Sequence, residues 1–119
     1  MFMNSIVKEK SYAFAIRIVK VYQYLTIRKK EFVISKQVVR SGTSIGANVH
    51  EALQGQSKKD FTAKMSIALK EASETEYWLN LLRDTGYLSE HEHKSIVNDC
   101  MEIGRMLTSI VKTSREKNP

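Results

Sequence analysis

The chain has 119 residues, 42% of them apolar, and carries a formal net charge of +6. That length suits one domain with a buried core, and Lys, Arg or Gln breaks every apolar run before the roughly 18 residues a membrane span needs. No signal-peptide layout opens the chain, so the expected compartment is cytoplasmic. Five glycines and one proline, Pro119, leave no material for a Pro-rich linker or a turn-dense β-sandwich, which favours helices. The single cysteine, Cys100, excludes an intrachain disulfide framework and a Cys-based zinc motif.

The first predicted helix covers residues 5–28. On a helical wheel Lys10, Arg17, Lys20, Tyr24 and Arg28 gather in an arc of roughly 80°. Phe14, Ala15, Ile18, Val19, Val21, Tyr22 and Leu25 spread over more than about a third of the circumference, more than one bundle seam uses. The first forty residues hold nine Lys/Arg against two Asp/Glu, so the positive charge is confined to one segment. Lys29, Lys30 and Lys36 extend the arc, and together these cations are the candidate contacts for the phosphates of RNA or DNA. A solvated, solubilising helix face is the competing reading.

The second predicted helix covers 32–54. No breaker marks its start, because Arg28-Lys-Lys-Glu31 contains neither Gly nor Pro. Inside it Ser41, Gly42, Ser44, Gly46 and Ala47 cluster where a helix gains nothing from glycine, which costs about 1 kcal/mol relative to alanine. Close approach of a neighbouring helix is the expected compensation. Ile34, Val38, Ser41, Ile45, Asn48 and Ala52 keep the seam spacing and place two polar residues, Ser41 and Asn48, on it. The surplus apolar surface of the first helix and the small-residue face of the second together predict a contact with another copy of the chain.

Gly55 is expected to end the second helix in a left-handed conformation, and Ser57 to cap the third, over 57–85, with Asp60 three residues on. Phe61, Met65, Ala68, Leu69, Ala72, Thr75, Leu79 and Leu82 recur at alternating four and three spacing, a left-handed bundle seam. Gly86 and the capping box Ser89-Glu-His-Glu92 repeat the device before the fourth helix, over 89–115, whose seam is Ile96, Cys100, Ile103, Leu107 and Ile110. Short connections make neighbours antiparallel. The fold expected over 1–119 is therefore an all-α, up-and-down four-helix bundle in one domain.

Two motifs, Ser41-Gly-Thr-Ser-Ile-Gly-Ala-Asn48 with Glu51-Ala52, and Lys70-Glu-Ala-Ser-Glu-Thr-Glu-Tyr-Trp-Leu79, stand either side of Ser57 and Asp60-Phe61. From about Phe14 onward the chain resembles the bacterial four-helix-bundle proteins encoded in intervening sequences of 23S ribosomal RNA genes, often labelled ribosomal proteins. The resemblance implies an up-and-down bundle that assembles as a ring, typically a pentamer. It also implies that Arg40, Ser44, Asn48 and Glu51 face Glu71, Glu74, Thr75 and Trp78. A related branch, the accessory proteins of diversity-generating retroelements, is similar in fold and works as a basic ring that binds nucleic acid and a reverse transcriptase. The chain departs from many relatives in lacking a proline at the first junction.

Helical spacing independently puts Glu71, Glu74 and Trp78 on one stripe beside the seam, where a half-buried carboxylate needs a partner such as Arg40. Glu90-His-Glu-His93 is the one Glu-x-x-His spacing, and it lies at the capping turn, where solvated residues are expected and a metal is not. No cofactor is expected. Neither a Ser/His/Asp nor a Cys/His arrangement, nor a phosphate-binding loop between strand and helix, points to an enzyme. Cys100 reads as a core thiol and His50 as a surface or interface residue. The function expected is non-enzymatic: a homo-oligomer that binds RNA or DNA without strong sequence preference, or alternatively a protein-interaction adaptor.

Overall fold

The computed structural model describes residues 2–55 and 57–116, so Met1, Gln56 and the last three residues of the expected 1–119 domain lie outside it. Four α-helices run through them: α1 Phe2–Ile27, α2 Ile34–Leu53, α3 Lys58–Asp84 and α4 Glu90–Glu116. Each touches its neighbours in sequence, α1 closes the square against α4, and α1 and α3 occupy opposite corners. The result is an up-and-down antiparallel four-helix bundle, a rod of 48 × 21 × 20 Å. Among the described residues no helix is long and apolar enough to cross a membrane.

Phe14, Ile18 and Leu25 from α1, Ile45 and Val49 from α2, Met65 and Leu79 from α3, and Ile103 and Leu107 from α4 fill the centre. The expected seams hold with one change: Val49 is in the core, and Asn48 is only half-buried. Asn48 satisfies its amide locally, donating to the Ser44 carbonyl at 2.8 Å. Ser41 is fully buried, and its hydroxyl sits 3.0 Å from that of Thr75 on α3. Each hydroxyl also reaches the carbonyl four residues back, Gln37 at 3.0 Å and Glu71 at 2.7 Å, so neither is left unpartnered.

The small residues of α2 serve contact within the chain. A Cβ on Gly42 would lie 2.8 Å from both Cγ atoms of Ile18, and one on Gly46 would lie 3.2 Å from the Ser11 carbonyl oxygen of α1. The two glycines therefore let α1 and α2 cross closely, so α1 covers this pair, while Ala47 in the same cluster is exposed.

The turns follow their capping chemistry. Ser89 and Glu92 form the full capping box, with Glu92 N–H to Ser89 Oγ at 3.1 Å and Ser89 N–H to Glu92 Oε1 at 2.8 Å. Gly86 takes the left-handed conformation, φ 85°, while Gly55 does not. A Cβ on Gly55 would lie 2.9 Å from Asp60 Oδ2, the tip of an exposed side chain that can move aside, and 3.1 Å from the Ala52 carbonyl oxygen. At the first junction Lys30 takes the left-handed backbone, φ 54°, that no glycine was present to adopt. Helix α2 begins two residues later than expected, because Glu31 turns inward and its carboxylate accepts the N–H groups of Val33, Ile34 and Ser35 at 3.1, 2.8 and 2.7 Å.

His93 departs from the expectation of a solvated capping residue. It is buried, and its Nε2 lies 2.7 Å from Asn80 Oδ1 while Arg83 Nη1 approaches Nδ1 at 3.4 Å. Burial first, and the Arg83 charge second, hold its pKa below the ordinary value, which keeps the imidazole neutral at pH 7. It locks the α3–α4 corner. Among the described residues no group of His, Cys, Asp or Glu is arranged to hold a metal.

Candidate functional site

The basic arc of α1 is divided by the structure. Lys10 pairs with Glu102 at 3.3 Å, and Arg17 pairs with Asp99 at 2.5 Å while donating to the Ser95 hydroxyl at 2.9 Å. Both partners sit on α4, so this end of the arc is a strut between α1 and α4. Lys20, Arg28, Lys29, Lys30 and Lys36 are exposed and enter no ion pair among the described residues. Four of them gather around the α1–α2 turn, with Lys29 Nζ 5.8 Å from the ring centroid of Tyr24. Arg28, Lys29, Lys30 and Lys36 thus form a local basic cluster at that turn, while Lys8, Lys58, Lys59 and Lys112 are exposed and unpaired, among the described residues, toward the other end of the rod.

Between Lys20 and the turn, α1 and α4 part to leave a groove of about 460 Å³. Val21, Leu88 and Ile96 supply apolar lining, and Arg17, Lys20, Tyr24, His91, Glu92 and Ser95 supply the polar and aromatic part. None of the α4 residues here was singled out by sequence reasoning as part of an interface. The missed signal is the spacing Ser95, Asp99, Glu102, one polar stripe on α4 that matches Lys10 and Arg17 on an antiparallel neighbour.

The Arg40 cluster forms as the resemblance implies, though with fewer members. Arg40 Nη1 lies 3.4 Å from Glu71 Oε2, and Nη2 contacts Glu74 Oε2 directly. Trp78 Nε1–H donates to the same Glu74 oxygen at 3.1 Å, and Tyr77 meets the Trp78 ring edge-on at 4.9 Å. The indole N–H, with Arg40 adding to it, holds the Glu74 carboxyl below its ordinary pKa against the opposing effect of burial. Asn48 and Ser44 bond to one another, and Glu51 pairs with Lys64 at 3.0 Å, so these three stand apart from the cluster. Its evident effect is to clamp α2 to α3.

Cys100 is buried with its thiol 3.3 Å from the Ala72 carbonyl, and burial pushes its pKa up to about 12. It is a core thiol with negligible thiolate at neutral pH. The outer faces of the bundle hold a different surprise. Tyr12, Ile16 and Val19, at helical spacing on α1, are 70, 46 and 39% exposed, and Ile67 and Tyr77 on α3 are 42 and 60% exposed. Of these only Val19 entered the apolar surplus read from the sequence, because Tyr12 and Ile16 do not fall on its arc.

Two comparisons bear on this architecture. The family model described as 23S rRNA-intervening sequence protein matches residues 3–109. A crystal structure of a protein with unknown function from the S23 ribosomal protein family of Bacteroides thetaiotaomicron is 55% identical. It superposes with a TM-score of 0.91, over 92% of this chain and 98% of that one. No curated protein matches the chain significantly. With a family model spanning all four helices and a relative of more than half identical sequence, the chain belongs to the 23S rRNA-intervening sequence protein family.

Proposed function

We propose that this protein is a non-enzymatic homo-oligomer, a ring and most simply a pentamer, that binds RNA or DNA without strong sequence preference. The observation that carries the reading is the group of five exposed cations, Lys20 on α1 and Arg28, Lys29, Lys30 and Lys36 around the α1–α2 turn, that enter no ion pair among the described residues. Repetition around a ring multiplies a weak single-copy attraction to a polyanion. Ring closure is favoured by the exposed apolar residues, because α1 and α3 present them from opposite corners. Two different patches on one subunit make a head-to-tail contact, the kind that closes into a ring.

Binding to a generic nucleic acid is expected to weaken steeply as salt rises, with a log–log slope of about −0.9 per phosphate neutralised on duplex DNA. Replacing Lys20, Arg28, Lys29, Lys30 and Lys36 by Ser should abolish binding and leave the oligomer intact in sedimentation. Replacing only Lys10 and Arg17 should do less, because their charges are already answered by α4. Wild-type affinity in the five-site variant would remove the reading.

Assembly has its own check. Ile16→Glu with Tyr12→Lys is expected to release monomers in light scattering while the helical circular dichroism is retained, since both side chains are exposed in the single chain. A particle mass unchanged by both substitutions would exclude this face as a contact between copies. The second reading, a protein-interaction adaptor, is favoured by the same exposed residues, and it predicts no nucleic-acid binding at any salt.

A further inference from the structure

We propose that the α1–α4 groove receives an unstacked base from a single strand, so that the protein binds single-stranded nucleic acid in preference to duplex. The inference rests on the nucleic-acid reading above and adds to it a site and a strandedness. The groove, about 460 Å³, joins an apolar recess to one unpaired cation, Lys20, one turn of α1 before Tyr24 and two before Arg28. A smooth basic surface would favour the more densely charged duplex if either, whereas a recess between helices offers a place for a base out of its stack.

The lining has the chemistry a base requires. Val21, Leu88 and Ile96 offer an apolar floor, and Tyr24 offers a ring to lie against. Lys20, Tyr24 and Arg28 follow one another at intervals of four along α1, about 6 Å per step, so cation, ring and cation alternate. That order suits a strand whose phosphates lie on the cations and whose base turns inward. Arg17 is held by Ser95 and Asp99, so it forms a fixed wall of the groove and leaves Lys20 as the free cation there. One acidic side chain, Glu92, lines the groove, and its Oε1 is engaged by the Ser89 N–H of the capping box. The groove also lies at the first turns of α4, whose N-terminal dipole favours an anion.

A base in a duplex is stacked and paired, and extracting it carries an unstacking cost that a single strand avoids. Discrimination therefore follows from the shape of the recess, with no need for base-edge hydrogen bonds.

The test is fluorescence anisotropy with a labelled oligouridylate, its deoxythymidine equivalent, and a mixed-sequence duplex of the same length. The wild-type protein is expected to bind the single strands about tenfold or more tightly than the duplex. Ser95→Trp fills the groove from an exposed position and removes the hydroxyl that accepts from Arg17, which keeps its Asp99 partner, and it should abolish that preference. Tyr24→Leu should lower single-strand affinity in the same sense, and circular dichroism checks that both variants remain helical. Photocrosslinking of a 4-thiouridine strand should mark the peptide containing Tyr24 or the one containing His91. Equal affinity for both forms, indifferent to Ser95→Trp, would overturn the groove and leave the basic surface standing. Failure of the wild type to bind any of the three would overturn the underlying reading and this one with it.

Discussion

Gly42→Leu is expected to abolish the cooperative thermal transition of the bundle. The first added carbon already decides the outcome: a Cβ at Gly42 would stand 2.8 Å from both Cγ1 and Cγ2 of Ile18 and 3.2 Å from its Cβ. The Ile18 Cβ is fixed by the backbone, and a fully buried β-branched side chain in a helix has one strongly preferred χ1 rotamer, so turning both Cγ atoms away is costly and leaves the Cβ contact in place. Relief requires α1 and α2 to separate. Helix propensity works in the opposite direction by about 1 kcal/mol, and overpacking by a single methyl-sized group typically costs about 1–3 kcal/mol. A leucine adds three further carbons beyond that one, which decides the sign.

Gly46→Leu should be nearly as severe, since its neighbour is the Ser11 carbonyl oxygen of the α1 backbone at 3.2 Å, and backbone yields less easily than a side chain tip. Gly104 provides the matched control. Nothing lies within 4 Å of a Cβ built there, so Gly104→Ala should raise the melting temperature through the propensity term of about 0.5–1 kcal/mol. The measurement is thermal melting by circular dichroism on all three variants. Wild-type melting of Gly42→Leu would mean that α1 and α2 do not cross closely there.

The contrast between these glycines explains what the sequence could disclose. A glycine pair four apart in a helix announces a close contact, but it carries no mark of the neighbour. The notion that another copy covers it was physically reasonable, and only the position of Ile18 and Ser11 assigns the contact to α1. The seams of α3 and α4 were legible because an unbroken three–four pattern leaves little choice of face. Asn48 and Val49 were not separable in the same way: both fit a helix of 3.6 residues per turn within its tolerance, and burial chose the apolar one.

Charge was the least legible property. Lys10 and Arg17 look identical to Lys20 and Arg28 on a wheel, because their α4 partners lie more than eighty residues away. His93 read as a solvated member of a capping turn, yet the corner folds over it and Asn80 completes its hydrogen bonding. The Arg40, Glu71, Glu74 and Trp78 cluster was legible because both of its helices signal it locally, through a carboxylate stripe on α3 and Arg40 beside the seam of α2.

Glu31 was hidden by its surroundings. In Arg28-Lys-Lys-Glu31 it passes for one more solvated charge, and its position three residues before α2 is outside the usual capping pattern. The structure leaves it only 7% exposed and gives its carboxylate three backbone N–H groups, while Ser35 Oγ donates to the Glu31 carbonyl at 2.8 Å. Burial alone would raise its pKa. The N–H groups of Ile34, Ser35 and Val33 outweigh that and hold the carboxyl below its ordinary value of 4.5.

Glu31→Ala is therefore expected to destabilise the protein by about 2–4 kcal/mol, because it removes a charged acceptor from donors that are partly out of water. At this chain length that is a fall of roughly 10 °C in melting temperature. Glu31→Gln keeps one acceptor oxygen and should lose less. The pH dependence has a definite sign. A carboxyl with a depressed folded pKa binds fewer protons when native, so its contribution is complete above the unfolded value near 4.5 and is lost as pH falls through the lowered one. Wild type and Glu31→Ala should thus converge in stability as the solution is made strongly acidic, and differ fully at pH 7. The same substitution frees the turn that carries Lys29 and Lys30, so nucleic-acid affinity should fall in Glu31→Ala even at temperatures where the bundle stays folded. A gap in stability between the two proteins that is independent of pH would show that the N–H groups are capped by something other than this carboxylate.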